Sequence, residues 1–211
     1  NGAGVTAAQL LTLDGFTSVK VDASAVTAIS GTAAQLKQLV AAKGVEVAKG
    51  VDIDVVELLG GTTNASDLAT ILKSTLGKVT ATVTADTAAK LNAALKDANS
   101  SDVLTLTVNG TTATAKDLIS LDGKTTAITL NVGAITGNIT EITKVFVDDA
   151  DNFTSVGTTA ATISGEITAA QADAVADKTS GVVTATIKAD SAVVLNAVLV
   201  DGSTTPTVNA Y

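Results

Sequence analysis

Hydrophobic and polar residues follow two different periods along this chain. The segment Val79–Thr84 alternates valine or alanine with threonine, which predicts a strand with one apolar and one polar face. Immediately afterwards, Ala88, Leu91, Ala94 and Leu95 recur at helical spacing, which predicts a helix with an apolar stripe. A strand followed closely by a helix is therefore the local unit that the pattern predicts.

The same change of period recurs along the rest of the chain. The predicted helices are Thr6–Leu13, Thr32–Ala42, Ala65–Leu76, Thr87–Lys96, Thr114–Leu121, Thr168–Asp177 and Ser191–Leu199. The predicted strands are Thr17–Asp22, Val45–Val56, Lys78–Thr84, Val103–Val108, Thr125–Val132, Lys144–Asp148, Val182–Lys188 and Thr205–Asn209. Several steps from the start of one predicted strand to the start of the next are in the low to mid twenties of residues, a spacing typical of solenoid repeats.

Residues suited to helix ends stand at several predicted boundaries. Asp86 and its equivalent Asp190 precede two helices, where a side-chain oxygen can accept a backbone N–H of the first turn. Thr32, and either Asn64 or Ser66, are expected to do the same for two other helices. The glycines expected to end a helix before a strand are Gly77, Gly123 and Gly181.

A longer repeat encloses these strand–helix units. Gly77–Leu95 reads GKVTATVTADTAAKLNAAL and Gly181–Leu199 reads GVVTATIKADSAVVLNAVL, with twelve of nineteen positions identical. Two shorter pairs share nearly the same offset: Leu10–Gly15 with Leu118–Gly123, and Ala28–Gly31 with Ala134–Gly137. The chain is therefore predicted to contain a first repeat unit, residues 1–110, and a second, diverged copy, residues 111–211.

Alternation of strands and helices predicts an α/β fold with parallel strands and right-handed crossovers. Tandem strand–helix repeats of this length are expected to stack into an α/β solenoid, with parallel strands on one side and short helices on the other. A compact α/β domain duplicated in tandem is the alternative. A β-sandwich is disfavoured because the Ala-, Leu- and Lys-rich stretches have strong helical propensity.

Composition narrows the functions that this chain can perform. It has no His and no Cys, and all 13 basic residues are Lys, which removes the usual groups for acid–base, thiol and bidentate anion chemistry. Paired carboxylates can hydrolyse glycosides, but aromatic residues, which commonly line sugar clefts, make up only 2% of this chain. The chain is therefore predicted not to be an enzyme.

Charge and hydropathy indicate which partners to expect. The net charge of −8 argues against nucleic acid and anionic membranes. No apolar run approaches the roughly 20 residues of a membrane span.

Absence of Cys fits an extracellular protein, with a disulfide-free cytosolic protein as the alternative. The sequence begins at Asn1 and lacks Met, so we expect a processed product or an excised segment.

The densest acidic stretch, VFVDDADNF, suggests a calcium site. Calcium takes six to eight oxygen ligands, and closely spaced carboxylates in a turn are a common arrangement. The candidate ligands are Asp148, Asp149, Asp151 and Asn152. A solvated acidic turn at a strand end is the alternative. A weaker cluster, expected on the polar side of an edge strand, consists of Asp52, Asp54 and Glu57.

Two further motifs recur. A flat array of threonines on stacked strands can order water and bind ice, whereas scattered threonines are ordinary on a half-exposed strand. The Thr-X-Thr motifs are Thr80/Thr82/Thr84, Thr105/Thr107, Thr112/Thr114 and Thr184/Thr186. The Asn-X-Ser/Thr motifs, which are potential glycan acceptors, start at Asn64, Asn99, Asn109, Asn138 and Asn152, and chance supplies some of them.

The repeated phrases resemble those of a known class of proteins. Ala28–Ala33 reads AISGTA, Gly31–Leu39 reads GTAAQLKQL, and Thr168–Val175 reads TAAQADAV. With the long repeated pair, they resemble the Thr/Ala/Val-rich repeats of bacterial S-layer and giant adhesin-like surface proteins, cyanobacterial ones among them. The resemblance implies an extracellular, array-forming role at the bacterial cell surface, often helped by calcium, and implies no catalytic residues.

These observations leave three functions to compare. The first is a structural repeat module of a surface layer, filament or giant surface protein, whose partners are copies of itself or adjacent repeats of the same parent chain. The second is an adhesin or ligand-binding module that recognises a glycan or ice. The third is a passive spacer that holds another domain away from the cell.

Overall fold

The computed structural model describes residues 4–125 and 127–199. The strands in this part are β1 Val5–Thr6, β2 Val21–Ala23, β3 Ala28–Gly31, β4 Val45–Val47, β5 Asp52–Val55, β6 Val79–Thr82, β7 Val103–Thr114, β8 Ile128–Asn138, β9 Phe153–Thr154, β10 Ala160–Ile167 and β11 Val183–Ile187. The helices are α1 Ala7–Gly15, α2 Ala33–Ala41, α3 Ala65–Leu72, α4 Ala88–Ala94, α5 Ala115–Asp122, α6 Ile139–Thr143, α7 Ala169–Ala176 and α8 Ala192–Leu199. The predicted α/β class is confirmed.

The chain forms two compact units. The described residues of the first unit are 4–85, 90–106 and 123–125, and those of the second are 86–89, 107–122 and 127–199. Helix α4 and strand β7 each contribute residues to both units. The units are defined by spatial contacts, whereas the duplication of residues 1–110 as residues 111–211 concerns sequence and stays a prediction.

In the first unit, parallel strands follow one another in chain order. Strand β1 pairs with β3, β3 with β5, β5 with β6, and β6 with the first residues of β7. A helix lies between each strand and the next in this order, as parallel pairing requires. Strands β2 and β4 form a separate parallel pair. The predicted parallel strand–helix alternation is therefore confirmed in this unit.

The second unit repeats this arrangement. Strand β10 pairs in parallel with β8 on one side and with β11 on the other, again in chain order. Strand β9 pairs in parallel with the start of β8, with Ile128 opposite Phe153. Helices α6 and α7 connect these strands, with shorter helical turns between α6 and β10.

Strand register places apolar side chains in continuous rows on the inner face of the sheet. In the first unit Ile29 pairs with Ile53, and Ile53 with Val79, and all three are buried. Burial of each such side chain contributes about 1.5–3 kcal/mol. Val79, Ala81 and Val83, predicted to form the apolar face of one strand, are all buried.

Reciprocal capping boxes start four of the helices. In each box the cap side chain accepts the backbone N–H three residues later, and the side chain of that residue accepts the N–H of the cap. The pairs are Thr6 with Gln9, Thr32 with Gln35, Asn138 with Glu141, and Thr168 with Gln171. The predicted cap at Thr32 is confirmed. For α3 the cap is Asn64, and Ser66 instead donates its hydroxyl to the Asn64 side chain.

The two predicted aspartate caps lie slightly outside their helices. The Asp86 carboxylate accepts the N–H of Thr87, and the Asp190 carboxylate accepts the N–H of Ser191. For α8 the cap is Ser191, whose Oγ accepts the N–H of Val194. The prediction for Asp190 was therefore wrong by one residue, because a cap directly precedes the first helical residue and α8 begins at Ala192.

Buried threonines hold the corners where helices lead back to strands. Thr75, Thr125 and Thr179 are each at most 8% exposed. Their hydroxyls donate to backbone carbonyls more than fifteen residues earlier in the chain, namely those of Val51, Leu104 and Thr159. Each hydroxyl therefore satisfies a carbonyl of an adjacent strand–helix unit.

Two glycines follow these threonines at equivalent corners. The N–H of Gly77 donates to Thr75 Oγ1 and that of Gly181 to Thr179 Oγ1, both at 2.9 Å. A Cβ on Gly77 would lie 2.3 Å from the Val51 oxygen, and one on Gly181 would lie 2.5 Å from the Thr159 carbonyl carbon. Glycine is required at both corners because neighbouring backbones approach closely.

Some predicted elements differ from the structure. Lys144–Asp148, predicted as a strand, is a π-helical turn that continues α6. Within this turn the consecutive residues Val145 and Phe146 are both buried. Consecutive side chains of a strand point to opposite faces of the sheet, so one buried strand face would hold only one of them. The predicted strand Val45–Val56 is broken into β4 and β5. Elements not predicted are β1, β3, β9, β10 and α6. The predicted strand Thr205–Asn209 lies outside the described residues.

Candidate functional site

The predicted calcium ligands run from Asp148, the last residue of the π-helical turn, to Asn152, which directly precedes β9 in the second unit. Asp149 Oδ1 accepts a hydrogen bond from Lys144 Nζ at 2.9 Å. This bond raises the pKa of Lys144 above its ordinary value. Asp148 and Asp151 are exposed. The structure therefore pairs one predicted ligand with a lysine and leaves two in solvent.

The fourth predicted ligand, Asn152, faces a carboxylate that the sequence did not single out. Asn152 Nδ2 donates to Asp122 Oδ2 at 3.4 Å. The other Asp122 oxygen, Oδ1, is buried and accepts no hydrogen bond from the described residues. Burial raises the pKa of Asp122, and the nearby Asp149 charge acts in the same direction.

Within residues 4–125 and 127–199, no group of three or more Asp or Glu side chains is placed to hold a metal ion. Calcium binding by Asp148, Asp149, Asp151 and Asn152 would require Lys144 to leave Asp149, so that its oxygens could turn to the ion. Calcium at this loop stays a prediction.

The weaker acidic cluster is used within the fold. Asp52 Oδ1 accepts the Lys78 N–H at 2.8 Å. Glu57 Oε1 accepts the Ala33 N–H at 3.0 Å, at the first turn of α2, and the Thr63 hydroxyl at 2.8 Å. Asp54 is exposed on the outer face of the sheet. Asp52 and Glu57 therefore act as links between successive strand–helix units.

Threonine rows on the outer sheet face differ between the two units. In the second unit Thr162 pairs with Thr136 on one side and with Thr184 on the other, which makes a row of three. Adjacent strands are about 4.8 Å apart. In the first unit the register places Thr80 between Asp54 and Val103, so a charge and an apolar residue interrupt the row.

An apolar cleft lies beside α2 in the first unit. Buried residues from α2, β3, β4 and β5 line it, together with Val40, which is 43% exposed. The hydroxyl-bearing residue in its lining, Ser74, donates that hydroxyl to the Ile71 carbonyl. None of the side chains in the lining is an acid or a base, so the cleft has no group suited to acid–base chemistry.

The second unit fills the equivalent place with aromatic rings. Phe146 stands eight residues after the cap Asn138, as Val40 stands eight residues after the cap Thr32. Phe153 pairs with β8 as Val45 pairs with β2. Phe146 is 0% exposed and Phe153 is 2% exposed. Val40 and Val45, which line the cleft in the first unit, are therefore smaller than the phenylalanines at the equivalent positions of the second unit.

Helices α4 and α8 occupy equivalent positions in the long sequence repeat but differ in exposure. Leu91 and Leu95 are 0% exposed, whereas α8 contains no buried residue. Exposed Lys90 in α4 is replaced by Val194 in α8, and the neighbouring Val193 is 80% exposed. The surface of α8 is therefore both more apolar and more open than that of α4.

A similar contrast occurs at α1. Leu121 in α5 is 0% exposed, whereas Leu13, 108 residues earlier in α1, is 52% exposed. Phe16, just after α1, is 84% exposed. Monomeric soluble proteins tolerate scattered apolar residues, but apolar helix faces of this kind commonly mark interaction surfaces.

Comparison with known proteins adds no assignment. No protein-family model matches this chain, and no significant match was found among curated proteins or solved structures. None of the helices in the described ranges is long and apolar enough to cross a membrane. The features that bear on function are therefore the acidic loop, the outer threonine row, the cleft and the exposed faces of α1 and α8.

Proposed function

We propose that this chain is a structural repeat module of an extracellular bacterial surface layer, filament or giant surface protein, and that it acts by self-association. The strand–helix units are proposed to stack as an α/β solenoid, with parallel strands on one side and helices on the other. Support comes from the parallel strands of each unit, which follow one another in chain order and are joined by similarly capped helices.

The observation that carries this proposal is the exposed apolar face of α8. In a stack of repeats each unit covers the apolar face of its neighbour. Leu91 of α4 is buried, whereas its equivalent Leu195 in α8 is half-buried. Val193 and Val194 of α8 are exposed at positions where α4 carries the exposed Ala89 and Lys90, so the substitutions make this open face apolar. We propose that a neighbouring repeat, from a second copy or from the same parent chain, covers α8.

The exposed residues at α1 supply a second surface for this contact. Leu13 and Phe16 are exposed in the first unit, and Val193 is exposed in the second. A contact between two different surfaces is heterologous, and repetition of such a contact produces rings or filaments rather than closed dimers. Head-to-tail growth is therefore the proposed mode of assembly.

The proposed role is non-enzymatic and lies at the bacterial cell surface. Absence of His, Cys and Arg supports the first part, and the resemblance to surface-layer repeats supports the second. Calcium is proposed to strengthen assembly by binding Asp149 and its neighbours and by reducing repulsion between copies that each carry a net charge of −8.

Electron microscopy over a concentration series tests the assembly directly. Samples with calcium and samples with a chelator are imaged in parallel, and we expect filaments or sheets that grow with concentration and are more extensive with calcium. Asp149→Asn should remove the calcium effect, whereas the control Asp54→Asn, at an exposed position in the first unit, should not. Separate, single particles at high concentration in both conditions would contradict the proposal.

A second candidate function rests on the threonine row of the second unit. Thr136, Thr162 and Thr184 are aligned by strand pairing, which is the kind of array that can order water. An ice-binding adhesin module would show thermal hysteresis that Thr162→Lys abolishes while Thr105→Lys, on the first unit, does not. Absence of hysteresis from the unsubstituted chain would exclude this function.

A further inference from the structure

The five Asn-X-Ser/Thr motifs have very different surroundings in the folded chain. Attachment of a glycan occurs at the side-chain nitrogen, Nδ2, so a site must present that atom to solvent. Two of the asparagines serve as helix caps: Asn64 Oδ1 accepts the Asp67 N–H, and Asn138 Oδ1 accepts the Glu141 N–H. The Nδ2 of Asn64 also donates to the Asp67 carboxylate. A glycan at Asn64 would disturb these contacts.

Two other motifs are held by neighbouring side chains. Asn109 is half-buried in β7, and its Oδ1 accepts a hydrogen bond from Asn131 Nδ2 at 3.1 Å. Asn152 Nδ2 donates to the partly buried Asp122 carboxylate. Neither asparagine offers a free amide on an open turn.

Asn99 lies in a turn rather than at a helix cap, and it shares with Asn138 an exposed side chain whose Oδ1 accepts a backbone N–H. It is exposed, between α4 and β7, and its Oδ1 accepts the backbone N–H of Ser101 at 2.9 Å and the Ser101 hydroxyl at 2.5 Å. These two bonds identify the oxygen of the amide and fix the side chain in one orientation. Nδ2 is therefore the remaining atom of the amide, and no described residue accepts a hydrogen bond from it.

Hydrogen bonds to the buried residue Asp102 hold the turn that carries Asn99. Asp102 is 2% exposed, and its carboxylate accepts the N–H of Asn99 at 2.9 Å and that of Val79 at 2.8 Å. The Asp102 N–H donates back to the Asn99 carbonyl at 3.0 Å. The anchoring bonds use backbone groups of Asn99, so a substituent on Nδ2 would leave them intact.

The flanking residues distinguish this motif further. Asp97 precedes Asn99 by two residues, whereas threonine or alanine occupies that position in the other four motifs. Asp97 lies 4.0 Å from Lys73 Nζ, and its side chain is 35% exposed. A carboxylate at this place offers a charge that a basic group on a modifying enzyme can bind.

We propose that Asn99 is an N-glycosylation site, with Ser101 as its hydroxyl residue and Asp97 as an accessory recognition residue. The donor class is an oligosaccharide carried on a polyprenyl diphosphate. Asn99 Nδ2 forms a bond to the anomeric carbon, the bond from that carbon to the diphosphate oxygen breaks, and one amide proton passes to a base of the transferase. The polyprenyl diphosphate leaves. This site rests on the proposed extracellular role, because such a modification accompanies export.

The test uses the full chain, a purified bacterial oligosaccharyltransferase and a short polyprenyl-diphosphate oligosaccharide, with intact mass and peptide mapping as readouts. We expect a mass increase of one oligosaccharide, located at Asn99. Asn99→Gln and Ser101→Ala should lose it, Ser101→Thr should retain it, and Asp97→Asn should lower its rate. The matched control Asn109→Gln should be modified as the unsubstituted chain is.

An unmodified chain, or a glycan on another asparagine with Asn99 unoccupied, would overturn the proposal. Circular dichroism of each variant separates loss of the acceptor from loss of the fold, and retention of the glycan in Ser101→Thr makes the same distinction. Failure here is distinguishable from failure of self-association, because the mass is read on the chain whether or not it assembles.

Discussion

Helices α4 and α8 carry closely similar sequences, yet only α4 is buried. Leu91 is 0% exposed in α4, whereas its equivalent Leu195 is half-buried and Val193 is 80% exposed in α8. The two helices differ in sequence at the exposed positions, where Val193 and Val194 of α8 replace Ala89 and Lys90 of α4. Under the proposed stacking, a further strand–helix unit covers this apolar face of α8.

The cleft beside α2 and the place filled by aromatic rings in the second unit likewise combine similar backbone elements with different burial. Val40 borders an open cleft in the first unit, whereas Phe146 is fully buried in the second. The helices are both capped in the same way, so the difference arises from side-chain volume and from the π-helical turn that carries Phe146. Repeated backbone elements can thus support different packing.

The largest effect is expected from Phe146→Ala. Truncation of a fully buried phenylalanine costs about 3–5 kcal/mol of unfolding free energy, whereas Val40→Ala, at a position 43% exposed, should cost under about 1 kcal/mol. Urea denaturation followed by circular dichroism measures both. Equal losses in the two variants would show that the cleft and the filled site are packed alike.

The next largest loss of unfolding free energy is expected in α4, and the equivalent substitution in α8 should have a smaller effect. Leu91→Ala should cost about 2–5 kcal/mol, because Leu91 is fully buried, whereas Leu195→Ala in the dissociated chain should cost under about 1 kcal/mol. Denaturation is measured at low protein concentration, where assembly does not contribute. Equal costs at that concentration would mean that α8 is packed as fully as α4.

A smaller and symmetrical effect is expected at the corner threonines. Thr75→Val and Thr179→Val remove hydroxyls that bond buried carbonyls at 2.5 and 2.7 Å, and each should cost about 1–3 kcal/mol. Thr75→Ser and Thr179→Ser keep the hydroxyl and should recover much of the loss. If only one valine variant is destabilised, the corners are not equivalent in the two copies.

Much of the helix framework could be predicted from the sequence because its determinants are local. Capping residues such as Thr32 and Asn64 act within one turn, and the apolar stripe of α4 has a period that the sequence displays directly. Strand β10 was missed because Gly165, with φ of +83°, lies at an irregularity where the register with β11 shifts.

The functional surfaces were less predictable because they depend on distant residues. Asp122 meets Asn152 only through the fold, and the pairing of Lys144 with Asp149 depends on a π-helical turn that resembles a strand in sequence. Two of the corner threonines did have a sequence pattern: a threonine stands two residues before Gly77 and before Gly181, and Val-Thr-Ala-Thr begins two residues after each glycine. Its meaning emerges once the carbonyl partners are known.

The most direct test of self-association through α8 is sedimentation velocity over a concentration series. Val193→Asp places a charge on the exposed face of α8, and Val56→Asp is the matched control, because Val56 is 52% exposed in the first unit, away from both α1 and α8 in sequence. We predict that the unsubstituted chain and Val56→Asp form larger species as concentration rises, while Val193→Asp remains monomeric. A monomeric unsubstituted chain at every concentration, or identical behaviour of the two variants, would contradict the account.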